Sequence, residues 1–251
     1  MISRRSLLNS FASLGAVAMA QANGAKKAIL VHMAGAPSHT DTFDLKVGPW
    51  TPRSFEPTSY ANGAIRWPKG LMPRLAEQLD SIALVRSVRA SGETHGMARK
   101  WMEPLVSVTM EGWDDHQNIY SPGQLPLRCD RFDRQFAGLI VDLKASGSLD
   151  STLIVAMGEF GRMGGPLNHG SGRDHCAQHT VLFAGGGIKG GRVIGRTDGW
   201  GASTVDYGWS QKRDVGPEDI AATIEAFMGV GTRLSTGCAL MELWDQTNLF
   251  S

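Results

Sequence analysis

Residues 151–179 read STLIVAMGEFGRMGGPLNHGSGRDHCAQH. The stretch opens on the apolar run Thr152–Met157, the length and composition of a strand buried on both faces of a parallel sheet. Polar side chains follow at once. Glu159, Arg162, His169, Arg173, Asp174, His175 and His179 crowd into a glycine-rich loop. In an open α/β sheet, the loop leaving the carboxyl end of a strand is where ligands bind. The stretch therefore predicts an α/β fold with its chemistry at one sheet edge.

The segment before it supports that reading. Phe132, Phe136, Leu139, Ile140 and Leu143 recur at helical spacing, with Gly147 as a stop, and a short turn joins this helix to the strand. Further out, Lys27 to Met33 reads as a first strand, followed by a loop with Ser38, His39, Asp41 and Asp44. Ile82 to Val88 reads as another, followed by Ser91, Glu93, Thr94 and His95. Residues 46–70, with four prolines, suggest an ordered excursion without regular structure. Leucines at 71, 75 and 79 mark a short helix. Residues 97–128 carry no clear period but hold the cluster Gly112-Trp113-Asp114-Asp115-His116. Thr180 to Ala184 reads as a buried strand, and Pro217 opens a last helix with Ile220, Ile224, Phe227 and Met228 on one face. The glycines at 185–191 formally match GxGxxG. Arg192 to Gly195 looks like a returning strand rather than the helix a dinucleotide site requires, so a glycine-rich hairpin is expected.

Composition bounds the rest. The chain has 251 residues, with 25 Lys+Arg against 24 Asp+Glu, so one globular domain over 27–251 is expected, and no basic patch suggests nucleic acid. Residues 1–20 resemble a twin-arginine export signal: Arg4-Arg5 precedes a mildly apolar run that ends on small residues at Ala18 and Ala20. A periplasmic or extracellular location follows, with no transmembrane segment beyond the signal. Three widely spaced cysteines, Cys129, Cys176 and Cys238, form no disulfide framework and no zinc-ribbon pattern.

A single Asp, His or Glu in a loop is more often a cap or a turn residue than a ligand. Here several loops that should share one sheet edge carry carboxylate or imidazole. Mixed oxygen and nitrogen donors suit zinc, manganese or iron. Paired cations in such a site clamp the two oxygens of an in-line displacement on phosphorus, and by analogy on sulfur. Arg162 or Arg173 offers a planar fork for a tetrahedral oxyanion. The chemistry these residues permit is metal-assisted hydrolysis.

Six stretches occur in order: GAPSHTDTFD (35–44), IALVRS (82–87), GWDDH (112–116), GEFGR (158–162), GRDH (172–175) and LFAGGGIKGGRVIG (182–195). Together they resemble the DUF1501 family of exported bacterial proteins, which is sulfatase-like and belongs to the alkaline phosphatase superfamily. The resemblance implies a three-layer α/β/α fold with a mostly parallel central sheet. It also implies an exported, metal-dependent hydrolase of sulfate or phosphate esters, acting on a small-molecule or carbohydrate ester. The cofactors it implies are divalent ions: zinc, or manganese or calcium. The ligands it implies are Glu159, Asp174 and His175 from the central loop, Asp114 or Asp115 with His116 for a second cation, and Asp41 or Asp44 from the first loop. Thr94 and Ser91 stand where the superfamily carries its nucleophile, while the sulfatase Cys-x-Pro-Ser-Arg motif is missing. The chain is shorter than those relatives near 96–111, which leaves a second reading, a non-catalytic carbohydrate- or partner-binding relative. If one metal site exists, Glu159, His175, His116 and an N-terminal Asp should converge on a common point.

Overall fold

The computed structural model describes residues 26–92, 107–230 and 236–244; residues 1–20, where an export signal is expected, and residues 93–106, with Thr94, lie outside the described residues. In chain order the strands are β1 (Lys27–Met33), β2 (Pro57–Tyr60), β3 (Ile65–Pro68), β4 (Ile82–Arg89), β5 (Ser107–Met110) and β6 (Thr152–Met157). They continue with β7 (Gly161–Arg162), β8 (His175–Cys176), β9 (Gln178–Gly185), β10 (Arg192–Ile194), β11 (Arg196–Thr197) and β12 (Thr204–Asp206). The helices are α1 (Pro73–Ala76), α2 (Leu125–Ala145) and α3 (Pro217–Met228).

Six strands form the central sheet in the order β10-β4-β9-β6-β1-β5. β1 pairs parallel with β5 and β6, and β10 pairs parallel with β4. β9 runs antiparallel to both its neighbours. The chain leaves β6 at one edge, makes its polar excursion there and re-enters from the same edge, so β9 has to run the other way. The carboxyl ends of β1, β4, β5 and β6 and the start of β9 thus share one edge. The fold is mixed α/β with a mostly parallel sheet.

β6 and β9 are buried along their whole length, which explains their uninterrupted apolar runs. Alternate residues feed two cores. Val31, Met33, Ile82, Leu84, Ile154, Ala156, Leu182 and Ala184 pack with Phe132, Phe136 and Ile140 of α2. Leu30, Ala83, Val85, Leu153, Val155, Val181 and Phe183 pack with Ile220, Ile224 and Phe227 of α3 on the other face. Each fully buried aliphatic of this kind contributes roughly 1.5–3 kcal/mol.

Four sequence expectations change. Residues 46–70 contain an antiparallel ribbon of β2 and β3, whose prolines Pro57 and Pro68 face each other at its open end. The leucine stripe at 71–79 is only partly helical: α1 is four residues long, and Leu79–Ser81 is a separate 3-10 turn. Helix α2 starts seven residues earlier than its apolar period suggests, with Pro126 in its first turn, where a missing N–H costs nothing. The glycine-rich segment is not a hairpin, because β10 pairs with β4 and β4 separates it from β9. α3 forms as expected, with Asp219 accepting from the Gly216 N–H at its start and Gly229 left-handed at its end. Among the described residues no helix is long and apolar enough to cross a membrane.

Candidate metal centre

The loop after β1 is held by a buried ion pair. Arg173 donates from Nε to Asp41 Oδ2 at 2.5 Å and from Nη2 to Asp41 Oδ1 at 3.0 Å, and both side chains are almost fully buried. Ser38 and the Tyr120 hydroxyl also donate to Asp41, at 2.6 and 2.9 Å. Arg173 Nη1 reaches the carbonyls of Met163 and Gly165. Asp44 is engaged by Arg86 Nε at 3.1 Å, Lys46 Nζ at 3.2 Å and the Thr197 hydroxyl. Both first-loop carboxylates therefore tie loops together.

Glu159 does the same on the β6 side. Its carboxylate accepts from the backbone N–H groups of Gly35 and Ala36 at 3.0–3.2 Å and lies 3.4 Å from His32 Nε2. Burial works against its charge, but His32 and the backbone N–H donors outweigh burial and hold the carboxyl well below the usual range. It is a permanent anion pinning the loop after β1 to the loop after β6. Gly35 makes that approach possible: it sits at φ 107°, and a Cβ there would lie 2.6 Å from the backbone nitrogen of Asp114.

That contact delivers the segment 112–116 to the sheet edge, where Trp113 N donates to Ala34 O. Burial alternates along a backbone of tight turns, in which Asp115 N donates to Trp113 O and His116 N to Asp114 O. Trp113 and Asp115 point inward and Asp114 points out. Asp115 pairs with Arg128 Nη1 at 2.9 Å, and burial pushes its carboxyl up to about 6, against the pull of Arg128 and Arg162. Asp114 and His116 instead meet His175, which the β7–β8 pairing sets opposite Arg162.

Among the described residues, Asp114, His116 and His175 are the group whose ligand atoms lie close enough to hold one ion. His116 Nε2 is 3.0 Å from His175 Nε2 and 3.1 Å from Asp114 Oδ1, and His175 Nε2 is 3.8 Å from Asp114 Oδ1. Four ligands at ~2.0–2.1 Å in a tetrahedron stand ~3.3–3.4 Å apart, so these spacings bracket that of a zinc-type site. Asp41, Asp44, Asp115 and Glu159 do not join the group, nor does Asp174, whose Oδ1 lies behind His116 Nδ1 at 3.7 Å. Asn168, which nothing in its sequence context singles out, donates to Asp174 Oδ1 at 2.9 Å and to His116 O at 3.3 Å. Phe160 packs on the His175 ring at 4.4 Å.

The donor set itself tests the fit. His116 Nε2 faces Arg162 Nη1 at 3.1 Å, a donor; Asp114 Oδ1, an acceptor; and His175 Nε2. One ring nitrogen is either a donor or an acceptor, so no protonation state satisfies all three neighbours. A divalent cation would reconcile His116, His175 and Asp114 by taking the lone pairs of both imidazoles and the carboxylate, and the Arg162 Nη1 N–H would then give up its acceptor at His116. The half-exposed Asp114 and partly exposed histidines leave an open side, as a catalytic ion needs.

Arg162 itself is fully buried, and its five N–H donors reach five acceptors: Ala36 O, Arg173 O, His116 Nε2, Gly35 O and Asp114 Oδ1. No donor is left over for an oxyanion in this arrangement, and the same holds for Arg173. Ser91 is exposed on the loop after β4 at the same edge, and Thr94 lies outside the described residues.

Behind the site sit two buried imidazoles. His39 Nε2 contacts Gly201 O at 2.8 Å and its Nδ1 receives the Arg162 N–H. Among the described residues neither ring nitrogen of His179 has a partner. Burial lowers both, His179 to about 3, with Glu159 opposing. Below pH ~6.5 the unfolded chain therefore binds more protons than the folded one, and stability falls by about 1.4 kcal/mol per pH unit per group until the folded pKa is reached. Urea melts between pH 8 and pH 4.5 should show this decline. His179→Leu should flatten it without loss of stability at pH 8, since the imidazole makes no hydrogen bond to lose. An unchanged acid slope in that variant would refute the assignment.

The solved structures similar to the chain include the following two. Phosphonate monoester hydrolase SpPMH from Silicibacter pomeroyi is 22% identical with a TM-score of 0.28, over 47% of this chain and 21% of its own. Ps i-CgsB, solved in complex with k-i-k-neocarrahexaose, is 12% identical with a TM-score of 0.30, over 94% of this chain and 55% of its own. The chain thus spans about a fifth of the first and just over half of the second. No curated protein matches the sequence. A family model described as "Protein of unknown function (DUF1501)" matches residues 25–104 and 100–244. The chain belongs to the DUF1501 family.

Proposed function

We propose that this chain is an exported metal-dependent hydrolase of sulfate or phosphate esters. The observation that carries the reading is the convergence of Asp114 Oδ1, His116 Nε2 and His175 Nε2 on one half-open point at the carboxyl edge of the sheet. These three side chains would hold the ion. Once bound, a divalent cation supplies Lewis acidity toward an ester oxygen and a lowered pKa for a hydroxyl or water beside it. The residues around it do the rest. Asp174, steadied by Asn168, holds the His116 ring from behind. Arg162 sets the spacing of the three loops and places a buried positive charge beside the anionic substrate group. Ser91, on the loop after β4, and Thr94, outside the described residues, are the proposed nucleophiles. Export rests on Arg4-Arg5 and the small residues at Ala18 and Ala20.

A second reading, metal or ligand binding without turnover, has its own support. Arg162 already contacts two of the three ligand atoms, and the family match falls into two pieces that meet at residues 100–104, where the chain looks shortened. Metal content after dialysis, with turnover of p-nitrophenyl sulfate and p-nitrophenyl phosphate, separates the two. Metal with turnover supports hydrolysis, and metal alone supports the second reading. A folded preparation that retains no divalent ion overturns the hydrolase reading and leaves the second only as ligand binding without metal.

A further inference from the structure

Trp200 is 54% exposed, unusual for the largest apolar side chain, yet its backbone and its ring both have partners. Its backbone N–H and that of Ala202 both donate to Asp198 Oδ1, at 2.9 and 3.0 Å. Its indole stacks on Trp50, with ring centroids 6.0 Å apart and planes 24° from parallel. Underneath lie Gly164 and Gly165. A Cβ on Gly165 would stand 2.0 Å from Trp200 Cζ3, and one on Gly164 would stand 1.7 Å from Trp200 O. The loop beneath the indole therefore has to be free of side chains.

That loop is continuous with the metal centre. Gly165 is three residues from Arg162, at most ~10 Å of extended chain, and Arg162 pairs with His175. Met163, 44% exposed, lies between them, and its N–H donates to Asp174 O at 2.9 Å. An exposed indole and a flexible thioether thus adjoin the segment of chain that leads from Arg162.

The size of the patch limits what it can hold. The exposed parts of Trp200 and Met163 together offer roughly 200 Å², against the ~800 Å² per partner of a stable protein interface. One ring fits. A pyranose has an apolar C–H face that stacks on an indole and a rim of hydroxyls that stays in water, so it suits a platform that is half apolar and open to solvent. We propose that the Trp50–Trp200 pair is a subsite for a sugar ring of a carbohydrate ester whose ester group lies at Asp114, His116 and His175. The placement of the ester rests on the proposed hydrolase function, whereas sugar binding at the indoles does not.

Cellohexaose, maltohexaose and neoagarohexaose, titrated into the full chain by calorimetry and tryptophan fluorescence, test it. At least one should bind. Trp200→Ala should weaken that binding tenfold or more at unchanged melting temperature, and Trp200→Phe should retain part of it. His175→Ala should leave sugar binding intact while losing the metal. If none of the three binds the wild-type chain, or Trp200→Ala binds as tightly, the subsite is overturned, whatever the metal measurements show. Self-association that depends on Trp200, without sugar binding, would also overturn it. Sugar binding that depends on Trp200, in a chain that retains no metal, would leave the subsite standing and remove the hydrolase reading.

Discussion

Replacing His175 with alanine should abolish the divalent-ion binding proposed for this chain. Three protein ligands converge on the site, and His175 Nε2 is one of them, 3.0 Å from its imidazole partner. Loss of an outer residue that merely orients a ligand typically costs 10–100-fold in affinity. Removal of the ligand itself should exceed that, by at least about a hundredfold, and Asp174→Asn should fall near about tenfold. The backbone pairing of residues 162 and 175 does not depend on the imidazole, so the variant should melt where the wild type does. Elemental analysis after dialysis and calorimetric titration with Zn²⁺ measure the difference. Equal metal content in wild type and His175→Ala would remove the triad as the site.

Arg173→Met should be the most destabilising of the single changes considered. It leaves Asp41 buried, with Ser38 and Tyr120 as its remaining side-chain donors and, among the described residues, no counter-charge at contact distance. Breaking a buried pair from one side costs about 3–5 kcal/mol, because an uncompensated charge remains. For a chain of this length that is a fall of roughly 10 °C in melting temperature. Asp41→Leu combined with Arg173→Met should lose less than Arg173→Met alone, since neither charge is then stranded. Thermal and urea melts of the single and double variants would show it. A double variant as unstable as the sum of the two singles would mean the pair carries no coupling.

Much of the sheet edge is legible in the sequence. Thr152–Met157 and Ile82–Val88 are buried on both faces, so their apolar runs have no competing reading. β5 is not legible: its four residues, SVTM, have no pattern of their own and become a strand by pairing with β1. Pro126 misleads because the same residue breaks a helix interior and suits a first turn, and only the position of the helix start decides between them.

The candidate site divides along the same line. His116 and His175 stand out in the sequence as imidazoles in polar loops, and both reach the triad. Asp114 and Asp115 are adjacent and chemically alike. Which one meets the histidines follows from the tight turns after the buried Trp113, which leave Asp114 outward and Asp115 toward Arg128.

What the chain alone makes plain is its class and its working edge, because burial writes a local pattern of apolar runs and the chemistry stands in the loops behind them. What the fold has to supply is partnership. Asp41 finds Arg173 132 residues away, and Glu159 finds the Gly35 N–H 124 residues away. Each carboxylate, read locally, is an equally good ligand. A buried charge takes whichever cation or N–H the packing brings within reach, so long-range contacts assign Asp41, Asp44 and Glu159 to holding loops and leave Asp114, His116 and His175 facing one another.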